Sequence, residues 1–240
     1  MTEKDVEIVE TLPIKKGKYT AIVGFGGPGF VGSTAVMNVA HSMNLKQPAY
    51  MKSQLVPPMM MIIDGRPRHA FRIYIEEEKK LILVTSEMLL TTENAWPIGR
   101  ELINWLLDKG AKIFISIEGM PFGAVPSERQ ILGFSTDKKD LVRFDVQPTE
   151  EGAVSGLNAC LLEESLKRGL SYTVLFVPTD LISAIDYGGA AAVIEVLNQT
   201  YQLGVDVTLL RQMDDMVRRV TTRGSKDEPR SLLDALRRRL

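Results

Sequence analysis

The sequence predicts an α/β protein, a three-layer α/β/α arrangement around a largely parallel, mixed central sheet. Runs such as Leu81–Thr85 and Tyr172–Val177 are almost entirely apolar, which is typical of strands covered on both faces. Helical segments that end at glycine separate these runs, and such alternation of strands and helices favours parallel pairing. The chain has 240 residues, 45% of them hydrophobic, which suffices for one large core.

The first part of the chain is predicted to contain several strands and one helix. In order, we predict a short edge strand at 5–10, a strand at Tyr19–Phe25, a helix at Val31–Ser42 and extended structure at 49–63. Pro57-Pro58 confines the last of these to an edge or a bend. Asp64-Gly65 is a turn signal, and Ala70–Ile75 alternates as the predicted hairpin partner.

A regular strand–helix alternation follows. We predict a strand at Leu81–Thr85, a helix at Glu93–Asp108, a strand at Lys112–Ile117, a loop at 118–129, a helix at Ser155–Arg168, a strand at Tyr172–Val177, and helices at Gly189–Leu203 and about 206–221. Gly110, Gly169 and Gly204 stand where helices commonly end. The alternation places helices on both faces of the sheet.

Composition excludes several classes of function. The net charge of −1 argues against a general nucleic-acid binder. Apolar runs are too short to cross a membrane, and the acidic start MTEKDVEIVE lacks the order of a signal peptide. A single cysteine, Cys160, leaves no intrachain disulfide, and His41 and His69 are isolated from other metal ligands. We therefore expect a cytoplasmic protein without cofactor or metal.

The end of the chain differs in charge from the rest. Residues 211–240 carry nine Arg and Lys against five Asp and Glu, about +4. We divide the chain into one domain, 1–222, and a basic amphipathic tail, 223–240, with a helix at Ser231–Leu240. The tail residues expected to contact a subunit or partner are Leu232, Leu233, Leu236, Arg237, Arg238, Arg239 and Leu240.

The clearest local motif is the glycine-rich segment between the second strand and the first helix. Its G-x-G-x-x-G spacing resembles a dinucleotide-binding turn. However, no Asp or Glu occurs from residue 30 to 63, so the carboxylate that would hold a ribose is missing. We interpret the segment as a tight strand-to-helix turn. Binding of an anion there stays open, through Gly26, Gly27, Gly29, Gly32 and Ser33.

Two further sets of residues are candidates for function. Glu87, Glu118 and Asp180 stand at or just beyond predicted strand ends, where catalytic groups gather in α/β proteins. They could act as acid and base, although strand-end loops are also simply polar. Met59, Met60 and Met61 form a soft apolar segment that suits either a subunit contact or a core.

Three stretches together resemble the PAC2 family. They are AIVGFGGPGFVGSTA, IFISIEGMPFGAVPSERQILGFSTD and EGAVSGLNACLLEESLKRGL, in that order along the chain. The resemblance covers about residues 5–210. It implies a fold akin to nucleoside phosphorylases, self-association and a part in assembling the proteasome α-ring. Some relatives end in a docking tail with a penultimate tyrosine, whereas this chain ends Arg238-Arg239-Leu240.

The sequence therefore favours a non-catalytic, homo-oligomeric binding protein of the PAC2 type, an assembly chaperone with proteasome α-subunits as its expected partners. The alternative is an enzyme that acts on a nucleoside-like or phosphorylated small molecule. That enzyme would use the glycine turn together with Glu87, Glu118 and Asp180. A deep strand-end pocket with convergent polar groups would favour the enzyme. A filled crevice, with apolar surface elsewhere, would favour the binding protein.

Overall fold

A computed structural model describes residues 5–63, 65–90, 92–123, 125, 129–181 and 184–219. The strands are β1 Val6–Glu10, β2 Tyr19–Phe25, β3 Lys46–Ser53, β4 Met60–Ile63, β5 Arg66–His69, β6 Arg72–Glu76, β7 Leu81–Ser86, β8 Ala111–Pro121, β9 Leu132–Ser135, β10 Gln147–Pro148 and β11 Ser171–Thr179. The helices are α1 Val31–Ser42, α2 Thr92–Lys109, α3 Lys138–Phe144, α4 Gly156–Lys167 and α5 Tyr187–Tyr201, and residues 208–219 are also helical (α6).

Nine strands form one mixed sheet in the order β1-β3-β6-β7-β2-β8-β11-β9-β10. The central strands β7, β2, β8 and β11 are parallel to one another. Antiparallel strands flank them, with β6, β3 and β1 on one side and β9 on the other. The parallel strands are buried because helices cover both faces of the sheet, as continuous apolar runs require.

The sheet separates two apolar cores. One lies under α2 and α4 and contains Val84, Phe114 and Val174. The other lies under α1 and α5 and contains Leu83, Ile115 and Val177. Successive residues of each strand point to opposite cores, as the pleat of a strand dictates. The predicted fold class, a three-layer α/β arrangement with a mixed sheet, is confirmed.

A hairpin follows β4 as predicted, but its second strand is Arg66–His69 (β5) and not Ala70–Ile75. β4 pairs with β5, and these two strands form a small sheet of their own. Ala70–Ile75 instead contributes β6 to the large sheet, between β3 and β7. A tight turn pairs β4 with the residues that follow it at once. Those residues, Arg66–His69, are polar and contain Pro67, so their sequence does not suggest a strand.

Two other sequence predictions need correction. β8 continues through Glu118 to Pro121, so the loop predicted from residue 118 begins later. Between β8 and α4 no regular structure is predicted from the sequence, yet β9, α3 and β10 lie there. These three elements have at most seven residues each. Elements that short leave little periodicity in the sequence.

Candidate functional site

The glycine-rich turn connects β2 to α1. After β2 the chain passes through Gly27 into a short 3-10 turn, Pro28–Phe30, and α1 begins at Val31. Gly29 has φ +66° and Phe30 has φ +48°, so two consecutive residues are left-handed. Only glycine adopts this conformation without strain, which accounts for Gly29.

Close backbone contacts explain most of the other glycines here. A Cβ on Gly32 would lie 2.6 Å from the Ile117 carbonyl oxygen, and one on Gly26 would lie 2.8 Å from the Glu87 carbonyl oxygen. A Cβ on Gly119 would lie 2.0 Å from the Pro28 carbonyl oxygen. The turn is therefore pressed against the carboxyl end of β8. Open α/β sheets commonly bind ligands at such strand ends, and here the chain's own Gly-Pro turn fills part of that space.

A buried carboxylate secures the turn from the other side. The Asp186 backbone N–H donates to the Gly29 carbonyl oxygen at 2.8 Å. The Asp186 side chain accepts from Thr179 Oγ1 at 2.6 Å and from the Gly189 N–H at 2.8 Å, which caps α5. It also forms an ion pair with Arg129, and both side chains are almost fully buried. This ion-paired carboxylate therefore holds the Gly29 side of the turn in place.

The anion-binding alternative names two further residues of the turn. The Ser33 hydroxyl is buried and donates to the Phe30 carbonyl oxygen at 3.1 Å, so it is engaged within the turn. Gly27 has space beside it, because no atom of the described residues would lie within 4 Å of a Cβ there. Anion binding through this turn stays a prediction.

The three strand-end acids lie on two faces of the sheet. Glu118 points to α4, where it accepts from Ser155 Oγ at 3.1 Å and from Asn158 Nδ2. Burial raises the pKa of Glu118 above its usual range, although both of these hydrogen bonds lower it. The carboxyl is held against the first turn of α4, a position that suits a negative charge.

Glu87 and Asp180 lie on the opposite face, each with its own cation. Glu87 forms an ion pair with the fully buried Arg72, which also donates to Met37 Sδ on α1. Asp180 accepts from Arg218 of α6 at 3.2 and 3.3 Å. Burial raises the pKa of Asp180, but the hydrogen bonds and positive charge of Arg218, with smaller help from a backbone hydrogen bond and the charge of Arg129, together lower it overall. The structure therefore does not bring the three acids together.

The predicted methionine segment belongs to a larger apolar surface. Met59 and Met60 are about half exposed (45% and 52%), and Ile62 is 70% exposed. Met61 lines a cavity of about 540 Å³ between α1, β4 and α6, which we call the methionine groove. Its apolar lining residues are Phe30, Met37, Met61, Ile185, Tyr187, Leu209, Leu210 and Met213. Glu87 provides a charged group in this groove.

A second groove is polar. Its volume is about 870 Å³, and its lining includes Arg129, Gln147, Glu195 and Arg211. Arg211 is already paired with Glu195 at 2.6 Å.

The described residues contain no cluster of His, Cys, Asp and Glu arranged to hold a metal ion, and no described helix is long and apolar enough to cross a membrane. The tail residues Leu232, Leu233, Leu236, Arg237, Arg238, Arg239 and Leu240 lie outside the described residues.

Sequence reasoning missed Arg129 and Asp186, which hold the turn in place although both are far from it in sequence. They are 57 residues apart in the chain, so no local pattern joins them. Asp186 alone had a usable signal, because an Asp directly before an apolar helix is a common N-cap. The methionine groove itself was not predicted. Ser33, Met61 and Glu87 were candidates for separate reasons, and only the packing of α1, β4 and α6 brings them to one groove.

The chain is similar in sequence to known proteins over most of its length. The family model described as "PAC2 family" matches residues 21–223. An uncharacterized protein of Methanocaldococcus jannaschii is 25% identical over 205 residues, which cover 84% of this chain and 83% of that protein.

Two solved structures from Pyrococcus furiosus are similar over almost the whole chain. PbaA, described as an archaeal homolog of proteasome-assembly chaperone, has a TM-score of 0.81 and 27% identity over 98% of each chain. PbaB, described as an archaeal proteasome activator, has a TM-score of 0.81 over 93% of this chain and 100% of its own. At 18% identity, the second comparison supports the fold alone.

Proposed function

Because the chain belongs to the PAC2 family, we propose that it is a non-catalytic protein-binding chaperone that contributes to assembly of the proteasome α-ring. The methionine groove is the observation that carries this proposal. It combines adaptable methionine side chains with exposed apolar residues around its rim. Such surfaces accommodate the side chains of a protein partner.

The strand-end region supports binding of protein over catalysis. The Gly-Pro turn is pressed against β8, and Glu87, Glu118 and Asp180 are engaged separately on two faces. An acid–base pair must reach the same substrate to act together. The competing function, an enzyme for a nucleoside-like or phosphorylated molecule, gains no specific support from this arrangement.

The proposed partners are proteasome α-subunits and further copies of the chain. The similarity to PbaA, a homolog of proteasome-assembly chaperone, supports the first partner. The exposed residues Met59, Met60 and Ile62 support self-association. We assign the protein to the cytoplasm, where the buried Cys160 thiol would stay reduced. The family match ends at residue 223, which supports a domain at 1–222 followed by a tail.

Capture of purified proteasome α-subunits by the immobilised protein tests the proposal. Leu209→Glu places a charge at the rim of the methionine groove, and we expect it to weaken capture at least ~10-fold. Leu166→Glu is the matched control, because Leu166 is comparably exposed (57% against 62%) but lies on α4, on the other face of the sheet. Equal capture by the two variants, or no capture by the parent, would show that the proposal is wrong.

Self-association has its own measurement. Light scattering at micromolar concentration should give the mass of a stable homo-oligomer. A monomer mass across that range would contradict this part of the proposal, whatever the outcome with α-subunits.

A further inference from the structure

Among the described residues, the outer edge of β4 in the hairpin β4–β5 has no neighbouring strand. β4 pairs with β5 alone among the described strands. In its register Ile62 lies opposite Pro67, which has no N–H, so this pair is of the non-hydrogen-bonded type. The hydrogen-bonded pairs are then Met61 with Arg68 and Ile63 with Arg66. The backbone N–H and C=O groups of Met60 and Ile62 therefore point away from β5.

The other strand edges carry features that discourage pairing with another chain. β1 carries charged Glu7 and Glu10, and β10 has only two residues, one of them Pro148. β5 carries Arg66, Pro67 and Arg68. Charges, proline and short length are the usual means by which proteins protect edges. β4 has neither a charged residue nor a proline, since its residues are Met, Met, Ile and Ile.

From this unprotected edge we infer that β4 pairs antiparallel with β4 of a second copy, about a two-fold axis at Met61. The inference rests on the self-association proposed above and specifies its interface. In this register Met60 lies opposite the partner's Ile62, and Ile62 lies opposite the partner's Met60. Both outward-facing residues then exchange both of their backbone hydrogen bonds.

Neighbouring registers are less complete. Centring the axis on Met60 would bring Pro58, which lacks an N–H, opposite the partner's Ile62. Centring it on Ile62 would place Met60 beyond the end of the partner's β4, because that strand ends at Ile63. A two-fold axis also brings like residues close together, so a charged edge would repel its own copy. β4 is uncharged and avoids this penalty.

Side chains around the edge supply the rest of the interface. A stable interface covers about 800 Å² on each partner, which is more than a strand of four residues provides. The exposed side chains of Met59 (45%), Met60 (52%) and Ile62 (70%) add apolar area beside this edge. The predicted interface is therefore centred on β4 and the Met59 that precedes it.

Disulfide formation tests the register. In a Cys160→Ser background, Met61→Cys should give a covalent dimer in oxidising buffer. The two sulfur-bearing residues would form a non-hydrogen-bonded pair with Cα atoms about 4.5 Å apart, within disulfide reach. Ile63→Cys is the control. Its two copies would lie four residues apart along the strands, roughly 13 Å, which is too far for a disulfide.

A second variant tests the hydrogen bonds themselves. Ile62→Pro removes the outward N–H but no bond to β5, because Ile62 lies opposite Pro67 in the hairpin. We expect the dimer dissociation constant to rise at least ~10-fold relative to Ile62→Val, with circular dichroism and melting temperature showing that both variants fold. An unchanged dissociation constant would overturn the inferred pairing.

The outcomes separate the inference from the proposal beneath it. Cross-linking of Met61→Cys but not of Ile63→Cys supports the inferred pairing. An oligomeric parent whose Met61→Cys variant does not cross-link overturns the pairing and leaves self-association standing. Equal cross-linking of both variants overturns the register, and a monomeric parent overturns both proposals.

Discussion

Gly29 is the residue on which the conformation of the glycine turn depends most. We expect Gly29→Val to destabilise the fold by about 3 kcal/mol, because φ is +66° and a Cβ would lie 2.7 Å from Thr179 Oγ1. Gly27→Ala is the control. Gly27 has extended backbone with space beside it, so the change should stay within about 0.5 kcal/mol. Urea unfolding of both variants measures the difference, and equal stabilities would contradict the assigned role.

The same variant bears on the dinucleotide resemblance of the turn. We expect negligible affinity of the parent for NAD or ATP, because the turn packs against β8 and the Asp186 carboxylate lies beside it. Calorimetric titration measures this affinity. Micromolar binding that a folded Gly29→Val variant loses would establish a nucleotide site and support the alternative function.

Glu118 should make stability depend on pH. Its pKa in the folded protein is raised by burial above about 4.5, the usual value, so the folded state holds the proton more tightly than the unfolded state. Stability contributed by this group is therefore present at low pH and lost as the pH rises through the folded pKa. Glu118→Gln should remove that loss, which makes the variant gain on the parent between about pH 5 and pH 8.

Urea unfolding at both pH values measures this gain. Glu7→Gln, on the exposed side of β1, is the control for loss of one carboxylate. If Glu118→Gln and the parent show parallel pH profiles, burial of Glu118 does not govern its ionisation in the way described.

At the scale of elements, Asp186 connects the glycine turn to the end of β11 and the start of α5. Asp186→Asn should destabilise the protein by about 3 kcal/mol, because it leaves the buried Arg129 with only its longer ionic contact to Asp214, at 3.9 Å. Asp137→Asn is the matched control, since Asp137 is an exposed N-cap of α3 and Asn caps helices about as well. Thermal unfolding of both variants compares them. Similar shifts would mean that the ion pair contributes no more than an ordinary cap.

Elements bounded by glycine or proline could be predicted from the sequence almost to the residue. The bounds predicted for Tyr19–Phe25 and Val31–Ser42 are those of β2 and α1, because glycines and proline mark the turn between them. Arg66–His69 could not be predicted as a strand, since its β-structure comes from the pairing with β4 and from no local preference. The length of β8 was missed for a related reason, because pairing with β11 extends it through Glu118 to Pro121.

The candidate site was predictable only in its local parts. Steric constraint at Gly26, Gly29 and Gly32 follows from a tight strand-to-helix turn, and the structure has this constraint. The faces occupied by Glu87 and Glu118 depend on strand register, which the positions of the residues near strand ends do not reveal. The methionine groove combines α1, β4 and α6, so only the three-dimensional packing discloses it.

At the scale of the whole molecule, we predict that the tail at 223–240 contributes to an interface and not to the fold. Deletion of residues 225–240 should lower oligomer mass or capture of α-subunits with little change in melting temperature, because an isolated ten-residue helix needs a surface to dock on. Its Arg237, Arg238 and Arg239 should make this contribution sensitive to salt. Unchanged mass and capture with a much lower melting temperature would place the tail within the fold.

The separation of the hairpin from the nine-stranded sheet has a consequence for local opening. β4 and β5 share no ladder with the large sheet, so they can open without disturbing β2 or β8. Hydrogen–deuterium exchange should therefore be faster at the Met61 and Ile63 amides than at the buried amides of β2. If two copies join through β4, exchange at Met60 and Ile62 should slow as protein concentration rises, while exchange in β2 stays constant.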